Sequence, residues 1–264
     1  MAGLITAAFA MTLATASSAS AHYVYFSDEV WANADSSKCL YNRSEVSHGS
    51  SGMGYFRGDA LAAKDVELWP ADCTAPWERN VGQLSEGLAI YKWYVDANDE
   101  GSWLLCTVTD WYYNESRGSK FVLEGKTDGA TIPPCGEGYY STMNQAGVEY
   151  GGDWLGWDVD VYSGYHYLPD TTSVASRQQP TDPTWVAEDG TVDRTKAPAR
   201  VHVAGKDGEP IVNSDGSLAD VPFPGATPPG SATRASAAEA ERTVTVEDGH
   251  VVETAVVPLK RPLP

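Results

Sequence analysis

Aromatic side chains are the residues of this sequence best suited to recognising a ligand. Residues 22–169 contain 25 of the 28 Phe, Trp and Tyr residues, and exposed Trp and Tyr rings stack on sugars and anchor protein interfaces. Glycines interrupt the last part of this region, which disfavours a continuous buried strand there. We therefore expect a binding surface, with burial in the core as the alternative for the same side chains. Its five candidates are Trp154, Trp157, Tyr162, Tyr165 and Tyr167.

His22 is a candidate copper ligand, because it becomes the first residue of the mature chain if signal peptidase cuts after Ala21. An N-terminal His can bind copper through its amine and its ring nitrogen, and imidazole suits copper well. With a second His, the site would resemble that of the copper polysaccharide monooxygenases. Neither His48 nor His166 carries a motif that marks it as this second ligand. Copper at His22 is therefore an alternative and not the leading hypothesis.

Other catalytic and metal-binding motifs are missing from the sequence. It contains no His-Glu-x-x-His zinc motif, no glycine-rich phosphate loop and no nucleophile elbow. Residues 96–101, DANDEG, begin like a calcium loop, but the twelfth position is Thr107, where that loop needs a Glu. A hairpin turn explains this segment more simply. We therefore assign no catalytic residue and no cofactor, and an enzyme is the less favoured interpretation.

The four cysteines, Cys39, Cys73, Cys106 and Cys135, allow three disulfide pairings. In an exported chain, an even number of cysteines indicates disulfides. We predict Cys39–Cys73 and Cys106–Cys135, because each pair encloses a similar length of chain and each second Cys follows a turn that contains Pro. The alternative is a structural zinc site, which would need a Cys-x-x-Cys spacing that this sequence lacks.

The first 21 residues have the pattern of a signal peptide. An apolar stretch from Gly3 to Leu13 is followed by small residues that end in Ala19-Ser20-Ala21, which suits signal peptidase. The stretch is shorter than the roughly 20 residues that cross a bilayer. We therefore expect a secreted, extracellular protein that is not held in a membrane once the signal is removed.

The elements that must position these residues are predicted to be strands. Residues 88–95 and 102–113 are rich in β-branched and aromatic types and should form a hairpin around the turn at 96–101. Its tryptophans, Trp93, Trp103 and Trp111, are expected in the core. Further strands are predicted at 22–26, 39–42, 119–124 and 157–162, and the last of these alternates in polarity. The predicted fold is all-β, a small disulfide-stapled sandwich or barrel at 39–169 that follows an extended segment at 22–38.

Residues 170–264 differ in composition from the region before them. They contain 11 of the 16 prolines and two aromatic residues, too few to build a core. We therefore expect a largely disordered, acidic tail. Valine-containing runs flank Asp-Gly turns at 185–192 and 242–257, which predicts local hairpins that could dock elsewhere.

Three motifs, LCTVTDWYYN, PPCGEGYY and GGDWLGW, occur together between residues 39 and 169. In this combination the region resembles short secreted two-disulfide proteins of high-GC Gram-positive bacteria. The resemblance implies a bacterial source and export, and it brings no assigned activity. The long tail departs from the short pattern.

The net charge of the chain limits the classes of partner that it can bind. The chain carries 18 Lys and Arg against 36 Asp and Glu, a net charge of −18, of which −13 lies in residues 22–169. Nucleic acids and anionic membrane surfaces need a basic face, so we expect neither as a partner. Extended segments at 22–26, 185–192 and 242–257 are suited to pairing with a partner's sheet.

The sequence therefore favours a secreted, non-catalytic binding or assembly protein, such as an adaptor or inhibitor within a secreted multi-protein assembly. It would act on an extracellular protein or a neutral glycan through its aromatic, acidic surface and its extended flanks. Two alternatives remain open. One is a carbohydrate-binding protein of the cell wall, and the other is a copper-dependent, polysaccharide-oxidising enzyme that uses His22.

Overall fold

The computed structural model describes residues 23–26, 30–31, 37–48, 54–65, 73–126, 134–168, 200–222, 229 and 240–259. Within these ranges the chain forms strands and turns and no α-helix, which confirms the all-β prediction. The strands are β1 (Tyr23–Phe26), β2 (Val30–Trp31), β3 (Lys38–His48), β4 (Gly54–Lys64), β5 (Ala75–Pro76), β6 (Leu84–Val95), β7 (Gly101–Val108), β8 (Tyr112–Tyr113), β9 (Lys120–Lys126), β10 (Gly138–Tyr150), β11 (Asp153–Leu155), β12 (Asp160–Tyr162), β13 (His166–Leu168), β14 (Arg200–His202), β15 (Asp220–Pro222), β16 (Glu241–Glu247) and β17 (His250–Pro258).

Two sheets pack face to face as a sandwich. The first has the strand order β1-β3-β4-β9-β17-β16, and the second has the order β11-β10-β6-β7. Short strands extend both sheets: β2 and β5 pair with the first, and β8, β12 and β13 pair with the second. The main core lies between the sheets, where Phe56 of β4 contacts Tyr140 of β10 with ring centroids 5.8 Å apart. Of the two predicted architectures, the sandwich is the one that forms.

The predicted hairpin is present as β6 and β7. Trp93 lies opposite Trp103 across the pair, and both rings are buried with centroids 5.4 Å apart. Trp111, also predicted for the core, is half-buried. In the turn, the Asp96 carboxylate accepts hydrogen bonds from the backbone N–H groups of Asn98 and Glu100, at 2.8 and 2.9 Å. Residues 96–101 are therefore a hairpin turn, and Asp96 is used as its internal acceptor.

Both predicted disulfides are present. The Cα atoms of Cys39 and Cys73 are 6.1 Å apart, and those of Cys106 and Cys135 are 6.0 Å apart. All four cysteines are buried. Disulfides persist in oxidising compartments, so this framework indicates an extracellular type of environment. The described residues include no helix of the length and hydropathy needed to span a membrane.

The longest strand, β10, was not predicted. It is central in the second sheet and pairs with β6, β11, β12 and β13. Its buried side chains include Thr142, Asn144 and Gln145, so its sequence lacks the apolar alternation that marks a strand. Part of their hydrogen-bonding capacity is used within the sandwich: Asn144 Nδ2 donates to Asn42 Oδ1 at 2.8 Å, and the backbone carbonyl of Thr142 accepts from Ser44 Oγ at 2.7 Å. Thr142 Oγ1 and Asn144 Oδ1 have no hydrogen-bond partner among the described residues.

The described part of the tail, residues 200–222 and 240–259, is folded into strands and turns. β16 and β17 form the hairpin predicted at 242–257, and its turn residues Asp248 and Gly249 both have positive φ, as a tight hairpin turn requires. β17 then pairs in parallel with β9 of the first sheet. The tail has too few apolar residues for a core of its own, and it completes the core of the sandwich instead. The predicted signal peptide, His22 and residues 185–192 lie outside the described residues.

Glu253 holds this hairpin against the sandwich. Its buried carboxylate accepts hydrogen bonds from the backbone N–H groups of Glu115 and Ser116, at 2.9 and 2.6 Å for one oxygen. The guanidinium of Arg242, on β16, donates to the same carboxylate and to the Tyr113 carbonyl. One charged group therefore joins both strands of the hairpin to the loop after β8.

A second buried carboxyl group, Glu86 of β6, lies between the sheets. Its Oε1 accepts from Asn144 Nδ2 at 3.0 Å, and its Oε2 has no hydrogen-bond partner among the described residues. Burial, followed by the charge of nearby Asp59, raises the pKa of Glu86 well above its ordinary value. The folded protein therefore favours the neutral, protonated form of this side chain.

The Glu86→Gln substitution should stabilise the protein at alkaline pH. Because the pKa of Glu86 is raised on folding, the wild-type stability should fall as the pH rises above the unfolded value of about 4.3. The variant avoids that cost and should be more stable by about 1–2 kcal/mol at pH 8, with the difference vanishing near pH 4. Urea unfolding at pH 4, 6 and 8 measures this. Glu100→Gln in the exposed turn is the control, and a variant less stable than wild type at pH 8 contradicts the interpretation.

Candidate ligand-binding cavity

Two of the five predicted surface aromatics, Tyr162 and Tyr165, are buried, with 1% and 6% of their surface exposed. Both belong to a hydrophobic cluster that also contains Tyr91, Trp103 and Val201. Val201 comes from β14, so the tail contributes to the cluster that encloses these rings. The predicted alternation at 157–162 is also shorter than expected, because only Asp160–Tyr162 is a strand. Tyr162 and Tyr165 therefore present no ring face to a ligand.

The other three candidates, Trp154, Trp157 and Tyr167, are half-buried. Trp154 packs edge-on against Tyr113, and Tyr167 packs edge-on against Tyr139. Trp154 is paired with Glu149 near one end of β10, whereas Tyr167 is paired with Tyr139 near the other. Ten residues of extended strand separate these pairs, or about 33 Å. The rings are therefore too far apart to stack on the same small ligand.

The histidines give no copper site within the described residues. His22 lies outside them, His48 ends β3, and His166 is buried. No group of three or more His, Cys, Asp or Glu residues in the described ranges is arranged to hold a metal ion. The copper hypothesis, which depends on His22, is not tested by this arrangement.

A cavity of about 280 Å³ lies on the outer face of the first sheet. Alternate residues of β3, β4 and β9 point to this face, because their neighbours Leu40, Phe56, Ala60 and Phe121 point into the core. The described residues that line the cavity are Tyr41, Arg43, Asp59, Leu61, Ala63, Cys73, Thr74, Lys120 and His250. Among these, sequence reasoning had singled out only Cys73, and for its disulfide.

The cavity has an apolar end and a charged end. At the apolar end, Ala63 and Cys73 are buried with Cys39, and Tyr41 packs against them. Leu61 lies in the middle, paired with Tyr41 on one side and with Lys120 on the other. Asp59, which is two residues before Leu61 in β4, lies at the charged end. At about 3.4 Å per residue, the cavity floor from Ala63 to Asp59 is about 14 Å long.

Three cations surround the buried Asp59 carboxylate. Arg57 Nε lies 2.8 Å from one carboxylate oxygen, and Lys120 Nζ and Arg43 Nη1 lie 3.0 and 3.6 Å from the other. Burial acts to raise the pKa of Asp59, but Arg57, Lys120 and Arg43 outweigh it and hold the pKa below its usual value. Glu45 and Glu124, at 3.4 and 3.9 Å, are the outer partners of Arg43 and Arg57.

His250 reaches the cavity from the tail hairpin. It begins β17, and the parallel pairing of β17 with β9 brings it beside the start of β9. Its Nδ1 is hydrogen-bonded to Ser119 Oγ at 2.9 Å, which leaves Nε2 as the ring nitrogen not engaged by Ser119. A Ser–His pair can form a nucleophile and its base, but Ser119 has no exposed surface and therefore cannot attack a substrate. Ser119 is consequently not a nucleophile at this cavity.

The cavity could have been noticed in the sequence only in part. Tyr41, Arg43 and Glu45 alternate with Leu40, Asn42, Ser44 and Val46, which is the pattern of a strand with one polar and one buried face. In β4 the pattern is weakened because small residues occupy most inward positions. The contribution of His250 depends on a pairing across more than a hundred residues, which no local pattern reveals.

Asp59→Asn should destabilise the protein at neutral pH. The substitution leaves three cations close together without their shared anion, and a loss of about 2–4 kcal/mol is expected. Because the pKa of Asp59 is lowered on folding, its stabilisation is present above the unfolded value of about 3.9 and is lost as the pH falls through the folded value. Urea unfolding at pH 7 and pH 3 should therefore show a difference that shrinks in acid. Asp158→Asn, at an exposed site, is the control, and an equal loss there contradicts the assignment.

Comparisons with known proteins leave the function to be inferred from this site. No protein-family model, curated protein or solved structure matches the chain. The functional conclusion therefore depends on the cavity and on the chemistry of the residues that line it.

Proposed function

We propose that this protein is a secreted, non-catalytic binding protein that holds a small ligand in the cavity on the outer face of its first sheet. The observation that carries the proposal is the division of the cavity into an apolar end at Ala63 and Cys73 and a charged end at Asp59 and Lys120. Binding sites for small molecules are concave, mostly apolar and supplied with a few placed polar groups. This cavity has those properties, and its volume of about 280 Å³ is just below their usual range of roughly 300–1,000 Å³.

Export is supported by two independent features. The first 21 residues have the pattern of a signal peptide, and two buried disulfides staple the described fold. One of these disulfides, Cys39–Cys73, forms part of the cavity wall. An oxidising compartment would therefore preserve the wall of the site as well as the fold.

Pairing of the extended flanks with a partner's sheet has less support than ligand binding in the cavity. Residues 23–26 are paired with β3, and residues 241–258 are paired with each other and with β9. Of these strands, β17 is paired on both edges, whereas β1 and β16 are the outer strands of the first sheet and are each paired on one edge. The third predicted segment lies outside the described residues. Glycan binding through a shared aromatic platform loses support as well, because two of its five rings are buried and Trp154 lies far from Tyr167.

The Leu61→Trp substitution should abolish ligand binding, because the indole would occupy the middle of the cavity. The full chain is screened against a library of neutral, anionic and cationic small molecules by the shift in melting temperature. We expect at least one compound to stabilise the wild type, and its affinity for Leu61→Trp to fall by at least tenfold. Native mass spectrometry of protein purified from culture medium provides a second readout, a bound mass lost in the variant.

Leu218→Trp is the matched control, because Leu218 is 39% exposed and does not line the cavity. It should bind as the wild type does. The proposal is overturned if no compound stabilises the wild type, or if Leu61→Trp binds the same compounds with unchanged affinity.

A further inference from the structure

We propose that the ligand of this cavity is a small molecule with one acidic group, a carboxylate or a similar anion, joined to an apolar body about a nanometre long. The inference rests on the proposed function and names the ligand class of the same site. It follows from three properties of the cavity: its hydrogen-bonding groups, the shape of its apolar end, and its charge relative to the rest of the chain.

The charged end of the cavity offers donors in excess of acceptors. Lys120 carries three N–H donors, and its contact with Asp59 at 3.0 Å engages one direction of that group. Asp59 is the acidic residue of the described lining, and three cations already contact it. A cationic ligand would therefore compete with Arg43, Arg57 and Lys120 for one carboxylate. An anion would instead gain a charge-assisted hydrogen bond from Lys120.

The apolar end fixes the other half of the ligand. Ala63 and the Cys39–Cys73 disulfide are buried, and they have no charged group with which to hold a second ionic group. Tyr41 and Leu61 connect this end to Lys120 by direct strand pairing. A ligand with its acidic group at Lys120 would therefore lay its apolar part over Leu61 towards the disulfide. Along about 14 Å of floor, this path accommodates an aryl-alkyl or short alkyl chain.

The charge of this end departs from the trend of the chain. The protein as a whole has a net charge of −18, whereas at this end Arg43, Arg57 and Lys120 balance Asp59, Glu45 and Glu124. An acidic exterior repels extended polyanions, while a recessed cationic group still attracts a small monoanion that fits within the cavity. The inference is thus restricted to small molecules and does not extend to nucleic acids or anionic membranes.

Three probes of one shape test this inference: 4-phenylbutyrate, its neutral amide 4-phenylbutyramide, and the cation 4-phenylbutylamine. Isothermal titration of the full chain at low salt should give an affinity for the carboxylate at least tenfold above that for the amide, with the amine weakest. Lys120→Met should lower the carboxylate affinity to that of the amide and leave the amide unchanged. Lys206→Met, in an exposed turn of the tail, is the matched control and should behave as the wild type.

The outcomes separate this inference from the proposed function. If the amide or the amine binds as tightly as the carboxylate and Leu61→Trp abolishes that binding, the ligand class is wrong and the binding function stands. If no compound of the library nor any of the three probes binds the wild type, both proposals are overturned. Should Lys120→Met fail to fold, Lys120→Arg replaces it: retained preference for the carboxylate supports the inference, and equal affinity for the amide overturns it.

Discussion

The fold depends on one buried carboxylate, that of Glu253. Burying a charge is unfavourable unless hydrogen bonds and an opposite charge compensate it, and Glu253 has both: the backbone N–H groups of Glu115 and Ser116 and the guanidinium of Arg242. These contacts attach a hairpin from a region of low apolar content to a sandwich built from the first two-thirds of the chain. Once attached, β17 extends the first sheet beside β9, and Ala255 and Val257 join the core between the sheets. The cavity follows from the same contact, because His250 enters it from this hairpin.

Local sequence patterns were sufficient to predict the hairpins and disulfides, whose residues lie close together in the chain. The β6–β7 hairpin was predicted from its aromatic and β-branched runs, and the β16–β17 hairpin from valines around Asp248-Gly249, whose positive φ angles suit a two-residue turn. The pairing of the cysteines was predicted from spacing and is confirmed. In each case, the residues that decide the structure lie within about 30 positions of one another.

Other elements could not be predicted, because distant residues decide them. β10 is buried through Asn144 and Thr142, whose polar groups are paired with Asn42 and Ser44 about a hundred positions away. Gly58 shows the same dependence: a Cβ there would lie 2.3 Å from the Asn144 side chain, so β4 needs a glycine at that point for reasons absent from its own sequence.

The aromatic surface was predicted from composition, but Tyr162 and Tyr165 are enclosed in a cluster to which the tail contributes. The net charge was similarly uninformative about local charge, since a sum of −18 over the whole chain does not reveal the cations around Asp59.

The parallel pairing of β17 with β9 also sets the order in which the site can be completed. Val252 lies beside Lys120, so the 132 residues that follow Lys120 must be synthesised before these two strands can meet. Contacts of such long sequence separation form slowly, because a large loop must close before they contribute any stability. Until then, β9 is an open sheet edge, and such an edge can pair with a neighbouring chain. The acidity of the chain has a role in that interval, since like charge keeps incompletely folded copies apart while the cavity is still missing its last wall.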